Sequence, residues 1–309
     1  MNWDFRTAEE LLKLCAYKYM DISDIMLARE MQLGDLEREE IMEEIDRCLR
    51  VMNVAVDKAI SEPAPSMGGF LGGEAQKLSR LDDSRQICGT VVHNALINAL
   101  AVAETNASMG VIVAAPTAGA AGVLPAVLLS VYQNRDISMD TLRKGLINAS
   151  AIGYLLTRNG SVSGAEAGCQ AEVGSASAMA ASALVEMLGG TPQQCCDAAA
   201  IALSNLLGLV CDPVRGLVEV PCQTRNAIGA AGAFTAAELA MAGVTVHIPL
   251  DEMIRITYDV GRSLPESLRE TAKGGCAAAC NVCPGATCAP LVQRVSIVRP
   301  RPGARHGTR

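Results

Sequence analysis

An all-α fold, a compact multi-helix bundle with Gly/Pro-rich active-site loops and no substantial sheet, is predicted by three observations. Between residues 35 and 60 the apolar side chains Ile41, Ile45, Leu49, Met52, Val56 and Ile60 recur every three or four positions. Glu, Asp and Arg occupy the opposite face, the pattern of a helix packed on a core. Thr7 with Glu10, and Thr191 with Gln194 behind Pro192, spell helix-opening capping boxes. No convincing run of alternating apolar and polar residues marks a strand. Of the 309 residues 50% are hydrophobic but only 3% are aromatic, so the core must be built from Ala, Leu, Val, Ile and Met. Small residues of this kind suit helices that approach one another closely.

Taken in order, Thr7 opens a first helix, and a second begins near Asp21 and closes at Gly34. Residues 35–60 form the third. The stretch EPAPSMGGFLGGEAQKL, residues 62–78, then interrupts the helical pattern with two prolines and four glycines. It reads either as a linker or as a loop whose N–H groups approach an anion such as phosphate or carboxylate, with Ser66, Lys77 and the paired glycines as its notable features. A long helix is expected over about 82–107, with His93 and Asn94 on or beside its apolar stripe. A lone histidine there fits a satisfied core residue as well as a base. APTAGAAGVLPA, residues 115–126, is a second Gly/Pro loop that opens a helix at Pro125. Thr117, its only side-chain hydroxyl, together with exposed N–H groups would suit a substrate carboxylate. Helices near 138–157, 168–188, 192–207, 223–242 and 250–262 complete the pattern, Gly208 ending the one that Thr191 opens.

The net charge of -7 argues against nucleic acid or an anionic membrane as the main partner. The uncharged run 105–134 is long enough to span a bilayer, yet it holds Asn106, Pro116, Pro125 and three glycines, so it reads as two buried pieces around a loop. The N-terminus has no basic and apolar leader pattern. With twelve cysteines this points to a reducing cytosol, and to metal or redox use rather than a disulfide framework. Three cysteines have polar or Gly/Pro neighbours: GCQAEVG at Cys169, LVCDPVRG at Cys211 and EVPCQTRN at Cys222. Three thiolates would leave one iron of a 4Fe-4S cube open to substrate. Spacings of 42 and 11 residues make no compact metal motif, and buried cysteine is commonly a small hydrophobe. Cys195 and Cys196 fall mid-helix and read as filler. Arg215 and Arg225 flank the second and third cysteines and could pair a substrate carboxylate or form structural salt bridges.

GCQAEVGSASAMAA, NLLGLVCDPVRGLVEVPCQTRNAIGA and the pair SMGGFLGGEAQKL with APTAGAAGVLPA carry a resemblance. With the family's motif order preserved, over roughly residues 10–275, the chain resembles the alpha chain of the bacterial iron-sulfur L-serine dehydratase, or L-serine ammonia-lyase. The resemblance implies a single helical catalytic domain over 1–275 and a 4Fe-4S cluster on Cys169, Cys211 and Cys222. It also implies deamination of L-serine to pyruvate and ammonia without pyridoxal phosphate, and a separate beta chain that completes the enzyme. The base is then Lys77, His93 or, as the favoured reading, a group of the beta chain. Ser66, Thr117, Arg215 and Arg225 are the substrate-binding candidates. After residue 275 the chain departs from the family pattern with Cys276, Cys280, Cys283 and Cys288 and a basic end. That tail is a metal motif, a divergent extension, or a source of a thiol capping the open iron. The competing functions are a related cluster lyase for L-cysteine or another beta-substituted amino acid and a non-catalytic iron-sulfur protein. A pyridoxal enzyme using Lys77 as Schiff base lacks the strands expected of it.

Overall fold

The computed structural model describes residues 2–279. Among them every regular element is helical, and a lone bridge between Cys211 and Arg269 is the only sheet-like pairing. Helix α1, Ala8–Lys18, begins where the Thr7 hydroxyl accepts the Glu10 N–H. The Glu10 carboxylate reaches back to the Arg6 N–H, one residue before the position a reciprocal box requires. Helix α2, Ile22–Gly34, ends on Asp35 in the left-handed conformation, a role the sequence suggested for Gly34. Helix α3, Arg38–Ser61, starts later than the pattern predicts because Glu37 and Glu40 form the box there.

Two corrections concern the next stretch. Part of the predicted loop is helix α4, Glu74–Ser79. Helix α5, Gly89–Ala107, starts at Gly89 (φ +70°) rather than near residue 82, since Asp82 caps only a single 3-10 turn through the Ser84 N–H. Helix α6, Val123–Asn134, carries Pro125 in its first turn, where a missing N–H costs nothing. Helix α7, Met139–Asn159, is capped by Ser138. The predicted helix over 168–188 divides into a π turn, Gln170–Gly174, and α9, Ser175–Met187, after the short α8, Gly164–Ala167. Helix α10, Pro192–Asn205, has the complete Thr191/Gln194 box. Helices α11, Cys222–Met241, and α12, Leu250–Ser263, follow.

Helix α9 is the centre, packed by α6, α7, α10 and α11, and eleven consecutive residues from Ser175 to Val185 are buried. Its SASAMAASA sequence permits this. Gly229 of α11 lies so close that an added Cβ would come 2.6 Å from Val173 Cγ1, and Ser177 donates to the Gly229 carbonyl at 2.5 Å. Each alanine buries little surface, and about 0.8 kcal/mol per methylene is the scale, so the core gains stability from many close contacts. It runs without a break from Phe5 to Ile254. No helix among the described residues is long and apolar enough to cross a membrane.

Candidate active site

The three cysteines come from three separate segments. Cys169 follows Gly168 (φ +76°), where any Cβ would strike the Leu209 carbonyl at 2.8 Å. Gln170 N–H donates to that carbonyl at 2.9 Å, which ties the Cys169 turn to the chain entering Cys211. Cys211 is pinned on both sides: its N–H donates to Leu268 at 2.9 Å and its carbonyl accepts from Glu270 at 2.6 Å. Cys222 opens α11. Cys169 and Cys211 are buried and Cys222 partly so.

Burial pushes the Cys169 thiol up to about 11, with the Glu172 carboxyl adding to the effect and Arg225 opposing it. Burial, then the neighbouring Cys169 and Glu172, pushes Cys222 up to about 12. Cys211 rises further, first through burial, then through Glu172 and Cys169. Each thiol thus lies within electrostatic reach of another. Glu172 completes the group: Thr117 donates to it at 2.7 Å and the Cys211 thiol lies 3.6 Å away. Its carboxyl is held above the usual range by burial, against the Thr117 bond. Only glycine fits at 164, where a Cβ would stand 2.9 Å from Cys211 Sγ and 2.6 Å from Glu172 Oε2. Among the described residues no three His, Cys, Asp or Glu side chains gather round a single-ion site. Cys169, Cys211 and Cys222 offer soft sulfur donors, the ligand type that iron-sulfur clusters take.

The first glycine loop is closed to an anion. Gly68 N–H donates to Glu219 Oε1 at 2.6 Å, and Phe70 N–H to Glu219 Oε2 at 3.2 Å. Gly72 N–H goes to Glu74, and Gly73 and Ala75 N–H to Glu104. Ser66 donates its hydroxyl to Glu219 at 2.5 Å and accepts from Leu71 N–H at 3.0 Å, so this candidate substrate hydroxyl serves the loop itself. The second loop is tied down by Asn226, which donates to the Gly119 and Cys222 carbonyls at 2.8 Å and accepts from Gly122 N–H at 2.9 Å. Thr117 therefore stands beside the cysteines, held by Glu172 and a braced loop.

The other candidates divide. Arg225 is committed to Asp212 at 2.6 Å and to the Val210 carbonyl at 2.8 Å, the structural salt bridge of the two readings. Burial opposes the Asp212 charge, yet bonds from Cys276 N–H and Arg225 hold its carboxyl below the usual range. Arg215 is exposed, with its guanidinium 5.0 Å over the Phe70 ring. Lys77 lies at the surface paired with Glu74 at 3.0 Å, its side chain 73% exposed. His93 is buried in α5, thirteen residues before Asn106, whose amide holds the Ala118 carbonyl of the second loop. About 20 Å of helix rise separates the two. Cys276 N–H bonds Asp212 at 2.6 Å and so begins the tail beside the site; Cys280, Cys283 and Cys288 lie outside the described residues. Glu172, Asp212, Glu219 and Asn226 were missed from sequence. Their signal was present, since each is a polar residue within four positions of a candidate cysteine.

Comparisons with known proteins identify the family. The family described as "Serine dehydratase alpha chain" matches residues 17–277. The chain is 47% identical over 275 residues to the "Probable L-serine dehydratase, alpha chain" of Bacillus subtilis, covering 89% of this chain and 91% of that one. It is 42% identical to the "L-serine dehydratase, alpha chain" of Peptoniphilus asaccharolyticus, over 88% and 93% of the two chains. Against the longer "L-serine dehydratase" of Streptomyces coelicolor it is 41% identical, and the match spans 90% of this chain but 61% of that protein. The chain belongs to the serine dehydratase alpha chain family.

Proposed function

We propose that this chain is the catalytic alpha chain of a two-chain L-serine dehydratase, which deaminates L-serine to pyruvate and ammonia in the cytosol. A 4Fe-4S cluster on Cys169, Cys211 and Cys222 is part of the proposal. The observation that carries it is the convergence of three thiols from separate segments, Cys169 and Cys211 buried and Cys222 partly so, with Glu172 3.6 Å from Cys211 and burial opposing ionisation of all three. Iron in place of their protons would relieve that cost. The names of the alpha-chain relatives supply the substrate and imply a beta chain as partner.

When bound, the cluster supplies a Lewis acid for the serine hydroxyl, an effect worth several kcal/mol on a poor leaving group. The protein's own residues orient the rest. Arg215, the exposed guanidinium nearest the Cys211 segment in sequence, pairs the substrate carboxylate. Thr117, fixed by Glu172, holds the substrate from the second loop. Removing the α proton requires a base; Lys77 is paired with Glu74 at the surface and His93 is buried in α5. The base is therefore assigned to the beta chain. Loss of that proton and of hydroxide gives aminoacrylate, which tautomerises to an imine and is hydrolysed.

The test is the visible spectrum of the anaerobically purified chain, with and without L-serine, for the native protein and for Cys169→Ser, Cys211→Ser and Cys222→Ser. Broad thiolate-to-iron bands that shift with serine and vanish in all three variants are expected. A colourless protein, or bands that survive the substitutions, would sink the cluster reading. Turnover of L-cysteine in preference to L-serine by the two-chain complex would replace the substrate.

A further inference from the structure

Glu219 is 2% exposed and lies three residues before Cys222. Its carboxylate takes the Ser66 hydroxyl at 2.5 Å, the Gly68 N–H at 2.6 Å and the Phe70 N–H at 3.2 Å, all from the first glycine loop. Three bonds to one buried carboxylate are a strong anchor, because bonds to a charged group exceed neutral ones and losing them strands buried donors. The loop is shaped to receive it. A Cβ at Gly68 would come 2.8 Å from Glu219 Oε1 and 2.6 Å from Leu217 Cδ1, so only glycine lets the backbone reach the carboxylate.

What the anchor holds is Phe70. Its ring lies under the guanidinium of Arg215, 5.0 Å from ring centroid to Cζ, and Arg215 itself adopts a left-handed backbone (φ +57°) in the segment between Cys211 and Cys222. An arginine stacked on an aromatic face keeps its donors free in the ring-parallel plane while losing rotational freedom. We propose that Glu219 is a positioning residue: by clamping the Phe70 backbone to the Cys222 segment, it holds the ring that aims Arg215. Glu219 takes no part in the chemistry and acts through Phe70 alone. The inference rests on the assignment of Arg215 to the substrate carboxylate.

The experiment uses the two-chain enzyme and compares Glu219→Gln, Gly68→Ala and Arg215→Ala with the native protein. Hydrogen exchange of residues 66–71 and of α9 is measured along with kcat and KM for L-serine. Glu219→Gln turns one acceptor into a donor facing a backbone N–H. It is expected to speed exchange of residues 66–71 at least about tenfold, the effect of losing one charge-assisted bond. Exchange in α9 should change less than twofold. KM should rise about tenfold with kcat within about threefold of native, and Gly68→Ala should reproduce both effects. Unchanged loop exchange, or faster exchange spread equally over α9, overturns the clamp. Raised KM in Arg215→Ala but native KM in Glu219→Gln overturns the positioning role while leaving the Arg215 assignment intact. If Arg215→Ala keeps a native KM, the assignment of Arg215 fails and the positioning role falls with it; loop exchange then still reports whether the clamp exists.

Discussion

Thr117 shows how one hydroxyl acquires a role from its neighbours. Its bond to Glu172 fixes the rotamer, and Glu172 is in turn fixed beside Cys211. Thr117→Val keeps the shape and removes the donor. We expect KM for L-serine to rise about fivefold to tenfold, the cost of a neutral hydrogen bond, with the absorbance of the proposed cluster retained; initial-rate kinetics and a spectrum of the same sample check it. Gly164 is the stricter position, because its hydrogen is all that separates the backbone from Cys211 and Glu172. On the proposed cluster, Gly164→Ala should lower iron content per chain below half of native while the far-ultraviolet circular dichroism stays helical. Of these residues, the cysteines and Thr117 were singled out in the sequence because their types announce chemistry. Glu172 and Asn226 were passed over although each lies within four positions of a candidate cysteine, since a Glu or Asn in a helical pattern looks like a solvated face until its partners are known.

At the scale of the element, caps were read well and interruptions poorly. The Thr191/Gln194 box on α10 is complete, so Thr191→Ala should cost about 1 kcal/mol, seen as a melting temperature lower by about 2–4 °C. The π turn at Gln170–Gly174 could not be read from periodicity, because a single wider turn leaves the flanking apolar pattern almost unchanged. Its position against Leu209, fixed as Gln170 N–H bonds the Leu209 carbonyl at 2.9 Å and the Gln170 side chain bonds Gly208 N–H and the Thr257 carbonyl at 2.8 Å, is a tertiary fact. Helix α12 docks on α8 through Gly261, where a Cβ would lie 2.7 Å from the Ala167 backbone. Gly261→Ala is expected to destabilise by about 1–3 kcal/mol through overpacking, and a urea titration would show the midpoint fall with the slope unchanged.

For the whole molecule, a polar knot under α9 gives a pH signature. Glu186 is held above the usual carboxylate range by burial, against the bonds it accepts from Ser23 and Asn148, and among the described residues its second oxygen has no partner. The folded protein keeps this proton to higher pH than the unfolded chain. Stability is then lost as pH rises from the unfolded value through the raised one. Glu186→Gln should remove that loss, raising the melting temperature by about 2 °C at pH 8 while leaving pH 4 nearly unchanged. Calorimetry at the two pH values decides it. The sequence by itself determined that the chain is helical and that its helices pack closely through small residues, because helix period, capping and residue size are local. Only the tertiary structure decided that the first glycine loop spends its N–H groups on Glu219 and Glu104, that Arg225 belongs to Asp212, and that Lys77 faces solvent. The buried pairings depend on which partner reaches each polar group across separations that run from 13 residues for Arg225 and Asp212 to 151 for Gly68 and Glu219, and burial makes each such pairing exclusive.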